Sequence, residues 1–307
     1  GWAVQDWSPD DARLLLGEYV SINESRLWIV DARTGAKELL TPQTTEKVAY
    51  GQARFTADGR AVFVTTDKGS EFRQLCRMEL ASRRITPVLK DVPWNVEEFE
   101  LSHDGRTLAV VSNEDGASRL RLLEARSGRE RRVPKLPSGV LGGLNWHRNN
   151  RDLAFNMSSA QSPADAYSLD VKAGRVERWT ESETGGLDPA AFVEPELVRL
   201  KSFDGLEFPA WVYRPDSRKF PGPRPVLVNI HGGPEGQSRP GFQARNNYYL
   251  NELGVALVYP NVRGSDGYGK TFLTLDNGFR REDSVKDIGA VLDWVAGQSG
   301  FDAQRVA

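Results

Sequence analysis

The feature that most limits what this chain can fold into is a repeat. Trp7-Ser8-Pro9-Asp10-Asp11-Ala12-Arg13 leads into the apolar Leu14-Leu15-Leu16, and Phe55-Thr56-Ala57-Asp58-Gly59-Arg60 into Ala61-Val62-Phe63-Val64. Leu101-Ser102-His103-Asp104-Gly105-Arg106 then leads into Thr107-Leu108-Ala109-Val110-Val111, and Trp146-His147-Arg148-Asn149-Asn150-Arg151 into Asp152-Leu153-Ala154-Phe155. The arginines at 13, 60, 106 and 151 are separated by 47, 46 and 45 residues (60−13, 106−60, 151−106). An acid closes a later apolar run in the same phase, at Asp31, Glu79, Glu124 and Asp170. Self-similarity at one period, marked twice per unit, reads as an array of structural repeats.

Each unit holds four short strands. In the second they are expected at residues 53–55, 61–66, 72–80 and 85–89, separated by Asp58-Gly59, Lys68-Gly69 and Ser82-Arg83. Asp-Gly supplies the positive φ that a tight hairpin needs. Four strands in about 45 residues are the mark of a β-propeller blade, which has two apolar faces and must stack on neighbours. Four blades are legible, and a propeller holds about 4–8. Trp7, Trp28, Trp146 and Trp179 recur at strand positions and read as blade-packing residues. His103 and His147 fall in corresponding turns and read as surface groups, and Cys76 takes the place of Trp28 in its unit and reads as core.

Composition closes off several functions. A net charge of −2 over 307 residues gives no basic surface for nucleic acid or an anionic membrane. The basic run at Arg129, Arg131 and Arg132 is interrupted by Glu130 and reads as a solvated face. No apolar run approaches the ~20 residues that span a bilayer. Cys76 is the single cysteine, which excludes an intramolecular disulfide and a cysteine metal cluster and fits a reducing compartment. The chain opens on Gly1 with no leader pattern and closes on Arg305-Val306-Ala307, which reads as a strand cut short, so truncation at both ends is expected. A cytoplasmic location is favoured, with a periplasmic or secreted one left open by the missing start.

A polar break at residues 180–188 puts a boundary near Phe192, with a partial propeller over 1–192 and a second domain over 193–307. Residues 196–203 alternate as a strand, Asp204-Gly205 turns, and residues 207–213 return. The apolar run 226–230 ends in His231-Gly232-Gly233-Pro234, and a second run, 255–259, ends in Asn261-Val262-Arg263-Gly264-Ser265-Asp266-Gly267-Tyr268-Gly269. Such runs read as strands buried on both faces of a parallel sheet. A helix is expected over 242–253 with Gly254 as its C′ residue, and another over 284–296 capped by Asp283 or Ser284, with Val285, Ile288, Val291, Leu292 and Val295 on its packed side. The order is an antiparallel lead-in to a doubly wound sheet.

The blade turns resemble those of TolB and prolyl oligopeptidase propellers. Lys201-Ser202-Phe203-Asp204-Gly205, then His231-Gly232-Gly233-Pro234, then residues 261–269 resemble the prolyl oligopeptidase family of serine peptidases, nearest to its dipeptidyl aminopeptidase and acylaminoacyl-peptidase branch. The resemblance covers essentially the whole chain. It implies an all-β propeller followed by the N-terminal part of an α/β-hydrolase domain, and cleavage of short peptides through an acyl-enzyme by a Ser-Asp-His triad. The nucleophile of such enzymes sits in a Gly-x-Ser-x-Gly elbow, but no serine here has glycine at both −2 and +2, so no catalytic residue is assigned in this chain and the triad is expected beyond Ala307.

The resemblance also implies that His231, Gly232 and Gly233 form the oxyanion loop, with a backbone N–H of Gly232 or Gly233 as donor rather than His231 as base. Arg263 is expected to anchor a loop or to lie near substrate, and Tyr268 to shape the turn. Asp283 and Asp287 read as capping and helix-surface groups rather than triad acids. No cofactor or metal is expected. The expected partner is a short peptide, with no nucleic acid and no membrane, and a homo-oligomer is left open. Two rival readings stand beside the peptidase: a propeller interaction module carrying an inactive hydrolase remnant, and a carboxylesterase of the same fold.

Overall fold

In the computed structural model, residues 1–307 are described except Gln43, Lys90 and Pro234, so the last residue of the His-Gly-Gly-Pro turn lies outside the described residues. Four four-stranded antiparallel meanders come first: β1 (Trp2–Trp7), β2 (Arg13–Ser21), β3 (Glu24–Asp31) and β4 (Lys37–Leu39); β5 (Tyr50–Phe55), β6 (Ala61–Thr66), β7 (Gln74–Glu79) and β8 (Ile85–Pro87); β9 (Asn95–Leu101), β10 (Thr107–Glu114), β11 (Ala117–Glu124) and β12 (Glu130–Arg131); β13 (Gly139–Trp146), β14 (Asp152–Ser159), β15 (Ser162–Asp170) and β16 (Arg175–Arg178). The chain is therefore a propeller segment with the blade architecture expected from the repeat.

The turn between the first two strands of each blade explains the repeated motif. The Ser102 hydroxyl donates to Asp104 (2.7 Å) and accepts from Thr107 N (2.9 Å). Thr56 makes the same pair of bonds with Asp58 and Ala61, and Ser8 with Asp10 and Arg13. The residue that takes positive φ is Asp11, Gly59, Gly105 and Asn150 in turn. By that mark the counterpart of Arg60 in the first blade is Ala12, one residue before the Arg13 used above, and the spacings are 48, 46 and 45 (59−11, 105−59, 150−105). The repeated acids sit opposite the first residue of the second strand: Arg13 faces Asp31, Ala61 faces Glu79, Thr107 faces Glu124 and Asp152 faces Asp170. Asp31 and Asp170 each accept two backbone N–H groups from the turn that follows.

Apolar clusters lie between neighbouring blades. Leu15 and Leu27 pack with Phe55 and Val62; Phe63 and Leu75 with Phe99 and Leu108; Ala109 and Leu122 with Trp146 and Leu153. The innermost strands are also stitched by side chains. Gln5 accepts from Ala53 N (3.2 Å), Gln52 from Phe99 N (2.9 Å), and Glu98 from Leu144 N (2.7 Å). Cys76 is buried in the first cluster, and burial pushes its thiol up to about 11. His103 and His147 are exposed. Two of the four tryptophans depart from the packing expectation: Trp146 is buried and Trp28 half-buried, but Trp7 and Trp179 are exposed. Trp179 follows the outermost strand of its blade, and its indole N–H donates to Ser168 rather than entering an interblade layer.

After a connector that includes a short 3₁₀ turn capped by Asp188, the chain forms a five-stranded mixed sheet. Its elements are β17 (Glu196–Lys201), β18 (Glu207–Tyr213), β19 (Arg224–Val228), α1 (Asn246–Asn251), β20 (Ala256–Pro260), α2 (Lys270–Leu273), α3 (Arg281–Ala296) and β21 (Phe301–Val306). The order across the sheet is β17-β18-β20-β19-β21; β17, β18 and β20 pair antiparallel, and β19 runs parallel to both β20 and β21. Along β18, Ala210 and Val212 join Val291 and Val295 of α3 on one face. Trp211 and Tyr213 join Leu250 of α1 and Ala160 of the fourth blade on the other. Strand alternation thus feeds two cores at once.

Both helices differ from their sequence outlines. The first is shorter than 242–253 because Phe242 is drawn away: its ring lies edge-on to Phe192 (5.2 Å) and its N–H donates to Ser158 (3.1 Å), while Ala244 takes φ +45°. Gly254 ends the segment at φ +61°. The second starts earlier, at Arg281, without a side-chain cap, and is rotated: Val285 and Leu292 are exposed, while Ser284, Asp287, Val291 and Val295 are buried. Asp287 is therefore not a helix-surface group, and its partners, described next, are the reason. No described helix is long and apolar enough to cross a membrane.

Candidate active site

The loop that follows β19 and the turn that follows β20 form one unit. Asn261, wholly buried, clamps Ser238 from both sides, accepting from its N–H (2.6 Å) and donating to its carbonyl (3.0 Å). Asp266 N donates to Gly236 O (3.0 Å), and His231 Nε2 lies 3.0 Å from Ser265 Oγ. Residues 231–238 therefore rest on residues 261–266 through three separate attachments.

The lower turn is fixed by Arg263, only 4% exposed. Its guanidinium reaches Asp287 from Nε (3.0 Å) and Nη2 (2.9 Å), Asp204 from Nη1 and Nη2 (2.9 Å each), and Ser202 Oγ (3.2 Å). Asp287 also accepts from Arg263 N (2.9 Å) and Ser202 Oγ (2.5 Å). A planar fork that meets two carboxylates suits arginine and not lysine. The Arg263 guanidinium holds the Asp204 carboxyl down at about 2. Burial works against the charge on Arg263, but its hydrogen bonds to Asp204 and Asp287 outweigh that and raise its pKa. Arg263 thus ties the β17–β18 hairpin, the turn after β20 and α3 together, with each guanidinium nitrogen hydrogen-bonded to a protein oxygen. Tyr268 is half-buried, accepts from Asn261 (2.9 Å) through its hydroxyl, and packs edge-on to Trp94 and Phe272. Burial raises its phenol pKa.

Gly232 and Gly233 are exposed, and among the described residues no acceptor takes either N–H. Gly233 has φ +127°, and a Cβ there would come within 2.6 Å of Glu235 N, so only glycine fits. Parallel pairing brings β21 alongside: Val228 N donates to Ala307 O (2.8 Å) and Ala307 N to Val226 O (3.0 Å). The glycines therefore stand beyond the carboxyl end of β19, beside the carboxyl end of β21. Carboxyl ends of parallel strands are where open α/β sheets bind ligands.

His231 is half-buried, and burial lowers its pKa, so the ring is neutral near neutral pH. Ser265, its partner, is completely buried and its hydroxyl lies 2.6 Å from Val262 O. A nucleophile needs access to substrate, so this serine–histidine pair is structural. Among the described residues no group of three His, Cys, Asp or Glu side chains could hold a metal ion.

The propeller meets this region directly. Arg73 pairs with Asp266 through both carboxylate oxygens (3.0 and 2.9 Å), Asn113 Nδ2 donates to Gln237 (2.6 Å), and Arg239 pairs with Glu97 (2.9 Å) and donates to Gly116 O (2.7 Å). None of these partners was singled out in the sequence, because residues about 120–190 apart carry no local signal. Asp287 was misread as a helix-surface group; its i, i+4 and i+8 spacing with Val291 and Val295 is the signal that puts it on the apolar stripe, where an acid must be paired.

Comparison with known proteins gives consistent matches. Residues 2–182 match the family model described as "Prolyl oligopeptidase, N-terminal beta-propeller domain", and residues 240–307 that described as "Prolyl oligopeptidase family". A prolyl endopeptidase of Elizabethkingia meningoseptica is 21% identical over 81% of this chain and 35% of its own length. Dipeptidyl-peptidase 5 of Porphyromonas gingivalis is 20% identical over 98% of this chain and 45% of its own length. The crystal structure of a puromycin hydrolase superposes with a TM-score of 0.87 at 20% identity, covering 100% of this chain and 48% of that one. The chain thus spans less than half the length of these relatives.

Proposed function

Because this chain belongs to the prolyl oligopeptidase family, we propose that it supplies the access filter and the oxyanion wall of a serine peptidase that cleaves short peptides through an acyl-enzyme. In this reading residues 1–192 limit entry and residues 193–307 begin the chemical domain. What supports it most is the pairing of β19 with β21, which sets the unclaimed N–H groups of Gly232 and Gly233 beside the carboxyl end of the last strand. Donors fixed before the reaction stabilise charge that appears only in the transition state. A serine presented just past β21 would place its substrate carbonyl against them. Arg263 and Tyr268 act here as supports for the loop, not as substrate contacts. A short peptide is the substrate, and the buried lone Cys76 favours a reducing, cytoplasmic location.

The test is fluorophosphonate labelling of the longest natural polypeptide that contains this segment, followed by rates on aminoacyl-nitroanilides and short acyl esters. Labelling of one serine with faster anilide turnover is expected. Absence of labelling would leave an interaction module with an inactive hydrolase remnant, and faster ester turnover a carboxylesterase.

A further inference from the structure

We infer that Arg281 is a substrate-binding residue that takes a carboxylate beside the scissile bond, namely the C-terminal carboxylate of a short peptide. The inference rests on the peptidase reading above and adds a charge requirement to its substrate. Arg281 is the first residue of α3, and its side chain is 57% exposed. Its Nη1 donates to the Gly233 carbonyl oxygen (3.3 Å). A fully extended residue spans about 3.6 Å, so Nη1 stands within about 7 Å of the Gly233 N–H. In a peptide, the carboxyl carbon one residue past a cleaved bond lies within about 4 Å of the scissile carbon. A substrate carbonyl resting against the exposed glycines therefore brings a carboxylate on its leaving side within range of this cation.

What sets Arg281 apart is how little of its fork is engaged. Arg263 has every guanidinium nitrogen bonded to a protein oxygen. Arg73 and Arg239, which also meet these loops, are paired with Asp266 and Glu97. Among the described residues, the Arg281 guanidinium makes one hydrogen bond, from Nη1 to Gly233 O, and Nε and Nη2 make none. Behind it lies Asp276, only 1% exposed, whose Oδ2 is 3.5 Å from Nη1 and has no hydrogen-bond partner among the described residues. A buried carboxylate without a bonded partner is costly, so it holds the cation at the loop. At that distance it steers the guanidinium without saturating it. The planar fork of an arginine matches a carboxylate, and two parallel bonds make the strong form of the contact.

The chemistry recognised is that of a carboxylate. A short peptide presents one at its C-terminus, close to the bond being cut; a long peptide has its terminus far away. The contact therefore favours peptides cleaved within one or two residues of their end. An acidic side chain near the bond is the other source of the same group.

The experiment uses the longest natural polypeptide containing this segment and measures competition against aminoacyl-nitroanilide turnover. The competitors are Ala-Ala-Ala, its C-terminal amide and Ala-Ala-Glu amide. The free acid should inhibit about tenfold better than the amide, the factor that a hydrogen bond to a charged group supplies. In Arg281→Gln the acid-to-amide ratio should fall to within about twofold, and Arg281→Lys, a point charge without the fork, should keep about threefold. Raising salt from about 0.01 to about 1 M should shrink the ratio in the parent. Any harm that the substitutions do to the Gly233 peptide slows turnover but divides out of the ratio. Equal inhibition by acid and amide in the parent, with Ala-Ala-Glu amide no better, or a ratio unchanged in Arg281→Gln, would overturn the inference. A preference for Ala-Ala-Glu amide alone that is lost in Arg281→Gln keeps Arg281 as the carboxylate site and assigns it an acidic side chain. If the parent fails to label with fluorophosphonate, the peptidase reading falls, and calorimetric titration with Ala-Ala-Ala and its amide decides the role of Arg281 separately. Tighter binding of the acid that disappears in Arg281→Gln supports it, and equal binding refutes it.

Discussion

Asp287→Ala is the perturbation whose cost can be worked out most fully. Asp287 is wholly buried and accepts from Arg263 N, Nε and Nη2 and from Ser202 Oγ. Alanine orphans a buried backbone N–H, which costs about 1–3 kcal/mol. It also breaks a buried ion pair, typically about 3–5 kcal/mol when one partner goes. These terms overlap, and Asp204 remains on the guanidinium at 2.9 Å, so the low end applies, about 3–4 kcal/mol. Native-state hydrogen exchange of amides in α3 reads this locally and avoids assuming that propeller and sheet unfold together. Adding Arg263→Met to Asp287→Leu should be less destabilising than Asp287→Ala, because no uncompensated charge remains inside. A loss below about 1 kcal/mol in Asp287→Ala, or a double variant worse than either single one, would refute the claim that this pair holds the turn.

Gly264 has φ +91°, and a Cβ there would meet the Asp276 carboxylate at 2.4 Å, so Gly264→Ala should cost well over the about 1 kcal/mol expected for Gly278→Ala, which has φ +64° and open space; thermal melts rank the two. Phe99→Ala, a fully buried ring between the second and third blades, should cost about 3–5 kcal/mol in denaturant, and Phe279→Ala, a fully exposed ring, within about 0.5. Burial pushes the Asp165 carboxyl up, but donors from Thr180, Arg178 and Ser182 outweigh it and hold it down at about 2. Its folded pKa is below the unfolded 3.8, so its stabilisation is present above pH 3.8 and is lost as pH falls toward 2; melting temperature against pH should drop there in the parent and drop less in Asp165→Asn.

The propeller was readable because its information is local and repeated. A Ser-x-Asp-Gly turn encodes its own hydrogen bonds, and the acid opposite each second strand closes the next turn within about twenty residues. The one-residue offset at Arg13 arose because Asp11 takes the positive φ usually left to glycine, so the arginine was aligned and the backbone was not. The β19 run and its paired glycines were equally legible, since two-sided burial leaves an unbroken apolar stretch and close approach demands glycine.

Sequence alone therefore determined the blades, the order of the elements in the second sheet, and which loop carries exposed glycines. Only the tertiary structure decided what surrounds those glycines. Ser265 lies buried under His231, out of reach of substrate; Asp287 was placed on a helix surface, yet it neutralises Arg263 inside. The ring of His231, beside those glycines, has its other partner 34 residues away, on the next strand's turn. Such contacts are set by how strands stack in space, which no short-range pattern records.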